Sequence, residues 1–171
     1  VLVGVYLLIT FKKDLRRVKS TIVVAILILC FQLIAFVFSD SILSYSESLA
    51  YHDNIVYATS SPYQRIVLTR NKKELRLYLN NNLQFSSADE YRYHEALVHP
   101  AMQASNKPKN ILILGGGDGL AAREILKYNC VEKVTLVDLD KRMTNLFKTQ
   151  EILRVINQSS LTNSKLTLIN D

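Results

Sequence analysis

The chain has 171 residues, 49% hydrophobic and 21% charged, with 21 Lys and Arg against 15 Asp and Glu. That length holds one domain, or one small domain with an appendage, and the composition excludes collagen-like, disulfide-stapled and wholly disordered chains. Five of the cations and one anion fall in residues 1–20, beside an apolar run, so the basic balance does not point to nucleic acid. Cys30 lies inside that run and Cys130 a hundred residues away, which predicts no disulfide and no cysteine metal site.

The chain opens at Val1 with VLVGVYLLITF, which is apolar but too short to cross a bilayer. It stops at Asp171, directly after the alternating run KLTLIN. Both ends read as cuts in a longer protein, the first as the tail of a transmembrane helix. Residues 21–39 (TIVVAILILCFQLIAFVFS) are 19 residues without a charge. As a helix they rise about 28 Å, close to the ~30 Å of hydrocarbon in a bilayer. Residues 1–39 therefore read as a transmembrane region: the end of one helix, the basic loop FKKDLRRVKS, and one full helix over 21–39. A buried core helix and a signal peptide are the rival readings. The positive-inside rule puts the short basic loop in the cytoplasm, and so puts the chain beyond residue 40 outside.

Residues 40–62 are rich in Ser and Tyr without a clear period, and read as a connector. YQRIVLT (63–69), LRLYLN (75–80) and LQFSS (83–87) have strand composition. The polar stretch 70–74 and the Asn80-Asn81-Asn82 run supply turns, since Asn tolerates left-handed backbone. This predicts a small antiparallel meander over 63–88. Ser87 and Glu90 have the spacing of a capping box and predict a helix to about Met102. Strand 111–114, a glycine turn over 115–119, a helix over 120–128, the strand of VEKVTLVDLD, a helix at roughly 141–156 and the strand KLTLIN then alternate. Strands alternating with helices imply an α/β fold with a parallel sheet. Three such strands are fewer than a doubly wound sheet needs, so 89–171 reads as the first half of a Rossmann-like domain of the class I methyltransferase type.

Two features of this half-domain carry chemistry. GGGDG places Gly115, Gly117 and Gly119 between strand and helix, where glycine permits a tight turn and close approach of a ligand to the backbone. Asp138 lies 21 residues after Gly117, at the end of the next strand, where a carboxylate can hold a ribose diol. Together they predict a nucleoside site, and the G-x-G-x-G spacing favours an S-adenosyl ligand over a dinucleotide. Asp118 sits inside the turn. Against the carboxylate of S-adenosylmethionine it would repel by as much as about 4 kcal/mol, at an effective dielectric of about 20 and about 4 Å. It would attract an amine. Asp118 therefore suits decarboxylated S-adenosylmethionine, unless it is only a solvated turn acid or a helix cap.

YQRIVLT, LYLNNNLQFSSADEYRYHEALVHPAM, ILILGGGDGLAAREILKY and VEKVTLVDLD resemble the spermidine synthase (polyamine aminopropyltransferase) family, over residues 63–171 almost without gaps. The apolar N-terminus resembles the branch fused to a multi-spanning membrane region. The resemblance implies roles residue by residue. Gln64 would contact the adenosyl ligand, and His94 the polyamine with Tyr93 beside it. Asp118 would bind the aminopropyl amine. Asp138 would hold the ribose, where the family usually has Glu, and Asp171 the adenine, with Asn170 where the family has Gly. The proton-accepting Asp and its Tyr would lie beyond residue 171, so no catalytic residue is expected within 1–171. The implied reaction joins putrescine and decarboxylated S-adenosylmethionine to give spermidine and methylthioadenosine, without a metal, since no cluster has metal-ligand spacing. The implied partners are a polyamine, the bilayer and a possible second copy, with no nucleic acid. The ligands place the domain in the cytoplasm, although the basic loop argues the opposite.

Structural roles compete at several positions. Gln64 could be an edge-strand residue and His94 a surface histidine. His99, before Pro100, reads as packing or capping. Glu95, Arg123 and Glu124 read as exposed helix ion pairs of about 0.3–0.5 kcal/mol each, and Tyr91 to Tyr93 as core. Two other functions compete as well: an S-adenosylmethionine-dependent methyltransferase, and a non-catalytic membrane protein that senses or transports polyamine.

Overall fold

A computed structural model describes residues 2–11 and 18–171. Lys12, Lys13, Asp14, Arg16 and Arg17, which carry most of the basic-loop expectation, lie outside the described residues. The chain divides into two compact units, 1–52 and 53–171.

The first unit is helical: α1 (Leu2–Thr10), α2 (Val18–Val37) and α3 (Ser39–Ala50). Leu, Ile, Val and Phe surround α2 on all sides, and none of its apolar stretch Lys19–Val37 is buried within the structure. Phe31, Phe36 and Val37 are each more than 70% exposed. A core helix hides such side chains, and among the described residues nothing covers them.

The second unit opens with β1 (Asn54–Ser60), β2 (Arg65–Arg70), β3 (Leu75–Leu79) and β4 (Asn82–Ser86). They pair antiparallel in sequence order. Asn80 and Asn81 adopt φ of 49° and 66° between β3 and β4, the backbone that a two-residue hairpin turn requires. The α/β half comes next: α4 (Glu90–Ala104), β5 (Asn110–Leu114), α5 (Leu120–Leu126), β6 (Lys133–Val137), α6 (Lys141–Thr149), α7 (Glu151–Ile156) and β7 (Leu166–Ile169). Strands β5, β6 and β7 form a parallel sheet in that order. One core cluster joins the two halves. Ile66, Leu68, Leu77 and Phe85 of the meander pack with Leu120, Leu136, Met143 and Phe147. The Phe85 and Phe147 rings meet edge to face at 6.0 Å.

The structure corrects several local expectations. The 40–62 segment, expected to be an irregular connector, contains α3 and β1. The capping box at Ser87 does not form. Ser87 Oγ accepts from the Leu75 N–H at 2.9 Å, and α4 starts three residues later at Glu90. The Glu90 side chain turns inward to Arg123 instead of back to its own helix end. The helix expected over 141–156 breaks at Gln150, whose extended backbone separates α6 from α7.

Candidate functional site

The glycine turn between β5 and α5 lies at the carboxyl ends of the parallel strands, where open α/β sheets bind ligands. Gly115, Gly116 and Gly119 hold φ of 81°, 73° and 76°, a region other residues enter at a cost. Gly117 is required for space: a Cβ there would sit 2.8 Å from Asp138 Oδ2. The Gly117 N–H donates to that oxygen at 2.8 Å, and the Asp140 N–H donates to Asp138 Oδ1 at 2.8 Å. Asp138 thus organises the turn, with further lone pairs available on each oxygen.

A cavity of about 790 Å³ opens beside this turn. Gln64, Tyr93, His94, Gly115, Gly117, Asp118 and Asp138 all line it, so the structure brings together residues spread over some 75 positions. Gly119 starts α5 and sits just outside the lining. Asp171 is not brought in either. It borders an adjoining cleft of about 240 Å³, shared with Tyr63, Asp140 and Asn170. Asn170, where the family pattern has glycine, donates to the Asp138 carbonyl at 2.8 Å and accepts from Thr144 Oγ1 at 3.1 Å. Leu79, Gln84 and Leu97 also line the main cavity. They come from strand and helix positions whose side-chain direction only the fold reveals.

Asp118 Oδ1 accepts from the Leu120 N–H at 2.9 Å. Burial pushes the Asp118 carboxyl above the ordinary aspartate value. The Leu120 N–H and His94 pull it down, and the nearby Asp138 and Glu90 push it up again. His94 is buried, not at the surface. Its Nδ1 lies 2.8 Å from the Glu90 carbonyl and 2.9 Å from Glu90 Oε2. Both are acceptors, so Nδ1 carries the proton and Nε2 is the nitrogen left for a ligand. Tyr93 stacks edge to face on His94 at 5.1 Å. Tyr93 is 66% exposed, which corrects its reading as core.

Gln64 lies in the loop between β1 and β2, not on an edge strand. Its Nε2 donates to Asp140 Oδ2 at 2.9 Å, and Ser61 Oγ donates to the same oxygen at 2.6 Å. Asp140 Oδ1 accepts from the Arg142 N–H at 3.0 Å and caps α6. Sequence reasoning passed over Asp140. The signal for it was available, because an acid directly before a helical pattern is a cap signature.

Arg123 and Glu124, expected as exposed ion pairs, are buried. The Arg123 guanidinium meets Glu90 Oε1 and Oε2 at 2.6 and 3.0 Å, Glu124 Oε1 at 2.8 Å and the Ile156 carbonyl at 2.8 Å. Burial works against charge at Arg123, but the two carboxylates outweigh it and raise its pKa. Burial likewise works against the Glu124 carboxylate, and Lys127 and Arg123 outweigh it, lowering its pKa. Behind this network His99 Nδ1 meets Tyr128 Oη at 2.8 Å. Glu95, His99 and Glu124 bring ligand atoms within 4.8 Å of one another, a cluster that spacing along the chain does not disclose. Within that cluster the Lys127 ammonium lies 2.5 Å from Glu124 Oε2 and His99 Nε2 lies 3.4 Å from the same oxygen.

A glycine turn on a parallel strand, an acid at the end of the next strand and a cavity spanning both define an α/β protein whose site gathers glycines, two acids and a histidine. Residues 90–171 match the spermine/spermidine synthase domain. The chain is 54% identical, over 98% of its length, to a polyamine aminopropyltransferase of Leptospira interrogans serogroup Icterohaemorrhagiae serovar copenhageni. It is 55% identical over 81% of its length to polyamine aminopropyltransferase 2 of Ralstonia nicotianae. Its fold matches the crystal structure of spermidine synthase from Thermotoga maritima with a TM-score of 0.64 and 29% identity, covering 68% of this chain and 40% of that one. A spermidine synthase in complex with the transition state analogue AdoDATO matches equally, again with a TM-score of 0.64. The chain belongs to the spermidine synthase family. It spans 34% of the length of the Leptospira relative and 27% of the Ralstonia one.

Proposed function

We propose that the protein transfers the aminopropyl group of decarboxylated S-adenosylmethionine to putrescine, giving spermidine and methylthioadenosine. The observation that carries this reading is Asp118. Burial resists its ionisation, and an incoming ammonium would supply the missing counter-charge. A methyltransferase would instead have to seat a ligand carboxylate beside an acid.

In the proposed site, Gly115, Gly117 and Gly119 shape the turn against the nucleoside. Asp138 accepts from the ribose hydroxyls, Gln64 contacts the adenosyl group, and Asp171 serves the adenine from the adjoining cleft. Asp118 holds the aminopropyl amine, while His94, with Tyr93 beside it, receives a polyamine N–H at Nε2. The neutral amine nitrogen of putrescine attacks the propyl carbon next to the sulfonium. A C–N bond forms, the C–S bond breaks, and its electron pair neutralises the sulfur. The proton lost by the new ammonium goes to a base, and a carboxylate outside residues 1–171 is the candidate. Holding both amines in line supplies part of the rate through proximity.

We also propose that α2 spans a membrane as part of a multi-pass region, with the cavity-bearing unit on the cytoplasmic side, where its ligands are. A homo-oligomer is compatible with this arrangement. The test is an assay of the full-length protein in membranes with putrescine and either cofactor form. Spermidine and methylthioadenosine from the decarboxylated form alone support the proposal. S-adenosylhomocysteine from the carboxylated form identifies a methyltransferase, and binding without product identifies a sensor or transporter.

A further inference from the structure

Gly119 comes directly after Asp118, and glycine accepts either sign of φ at little cost. The peptide plane joining them is therefore not set by its own sequence. An uncompensated change of ψ at Asp118 or φ at Gly119 would shift the turn that carries Asp118 and, with it, the place of its carboxylate on the cavity wall. Three restraints are local: the Gly119 N–H donates to the Gly116 carbonyl at 2.9 Å, the Arg123 N–H to the Gly119 carbonyl at 2.9 Å, and the Leu120 N–H to Asp118 Oδ1 at 2.9 Å. The others come from a distant turn. Asn157 Nδ2 donates to the Asp118 carbonyl at 3.0 Å and to the Phe147 carbonyl at 3.1 Å. Asn157 Oδ1 accepts from the Ser159 N–H at 3.0 Å. Ser160 Oγ donates to the Gly119 carbonyl at 2.6 Å.

Asn157 is fully buried and Ser160 nearly so. Neither lines the cavity. Packing at Gly119 is tight, since a Cβ there would lie 2.6 Å from Ser160 Oγ and 2.8 Å from Leu161 Cγ. The turn at 157–160 thus grips two consecutive carbonyls, that of the soft 118–119 peptide itself and that of the next peptide, at Gly119.

We infer that Asn157, with Ser160, is a positioning residue that holds Asp118 in the orientation that receives the ligand amine. This rests on the aminopropyl reading above. Its consequence is selective. Loosening the clamp should weaken a ligand that ends in an amine and spare one that shares the nucleoside but lacks the amine.

The test uses full-length protein and two probes, decarboxylated S-adenosylmethionine and methylthioadenosine, titrated by calorimetry. Asn157→Asp keeps the shape but puts an acceptor against two carbonyls. Ser160→Ala removes one hydrogen bond and is the variant that decides if Asn157→Asp does not fold. In each variant the ratio of the two Kd values should shift by about 3–10-fold against the amine-bearing probe. Equal weakening of both probes, or no change in a folded variant, overturns the clamp while leaving the family reading intact. Wild-type protein that binds neither probe overturns the aminopropyl reading and the clamp with it.

Discussion

Asp140 Oδ2 accepts from Gln64 Nε2 at 2.9 Å across 76 residues of sequence. The same carboxylate caps α6, so one buried acid ties the meander loop to the start of a helix in the α/β half. Asp140→Ala removes a helix cap, about 0.5–2 kcal/mol, and leaves Ser61 and Gln64 donors without their partner. We expect a loss of about 2–3 kcal/mol, read from thermal unfolding of the detergent-solubilised protein. Asp140→Asn should retain much of the cap.

Asp118 opposes stability and supports binding. Its folded pKa lies above the unfolded one. Its contribution is therefore fully favourable below the ordinary aspartate value of 3.8 and is lost as pH rises through the folded value. Asp118→Asn should raise Tm at pH 7, with the gain shrinking as the pH falls toward 4. The same variant should lose affinity for decarboxylated S-adenosylmethionine far more than for methylthioadenosine. Parallel losses would remove the amine-binding assignment.

Arg123 stands between two buried carboxylates. Arg123→Met strands Glu90 and leaves Glu124 with Lys127 alone, and should cost about 3–5 kcal/mol. Adding Glu90→Gln and Glu124→Gln to that variant removes both carboxylate charges. Much of the lost stability should then return, as denaturant titration of the single and triple variants would show.

The glycines of the turn should respond unequally to alanine. Gly115 has left-handed backbone but open space around a Cβ, so Gly115→Ala should cost about 1–2 kcal/mol. Gly119→Ala adds a clash with Ser160 and Leu161 and should cost more. Pairing it with Ser160→Ala should recover part of the difference.

The membrane reading predicts that Ile28→Arg, midway along α2, will disfavour insertion by about 2.5–3.5 kcal/mol. The variant should shift toward the fraction that alkaline carbonate extracts. Unchanged retention in the membrane pellet would argue that other segments anchor the protein.

The elements visible in the sequence are those written in local code. The Ile111–Leu114 strand, its glycine turn and the acid of the next strand lie within 28 residues of each other, and pattern alone locates them. The Asn run announces its hairpin for the same reason. What escaped depends on partners far away. Ser87 and Glu90 have the spacing of a cap, yet the Leu75 N–H and Arg123 claim them, because burying a guanidinium requires a carboxylate more than a helix end requires a cap. Helix α3 is Ser-rich with little periodic apolar signal. Asn157 carries no motif at all, since its meaning is two carbonyls 10 and 39 residues away.

The parallel sheet has one further consequence, for handling the protein. Leu112 and Leu114 alternate along β5 and are 62% and 77% exposed, and Ile169 on β7 is 42% exposed. Parallel sheets persist in water when both faces are covered. A piece cut to residues 53–171 carries this uncovered leucine face into solvent, where adjacent copies offer the nearest apolar cover. Such a piece should be colloidally poor: sticky on columns, prone to precipitate as concentration rises, and rescued by charged substitutions at Leu112 and Leu114 without change to the glycine turn.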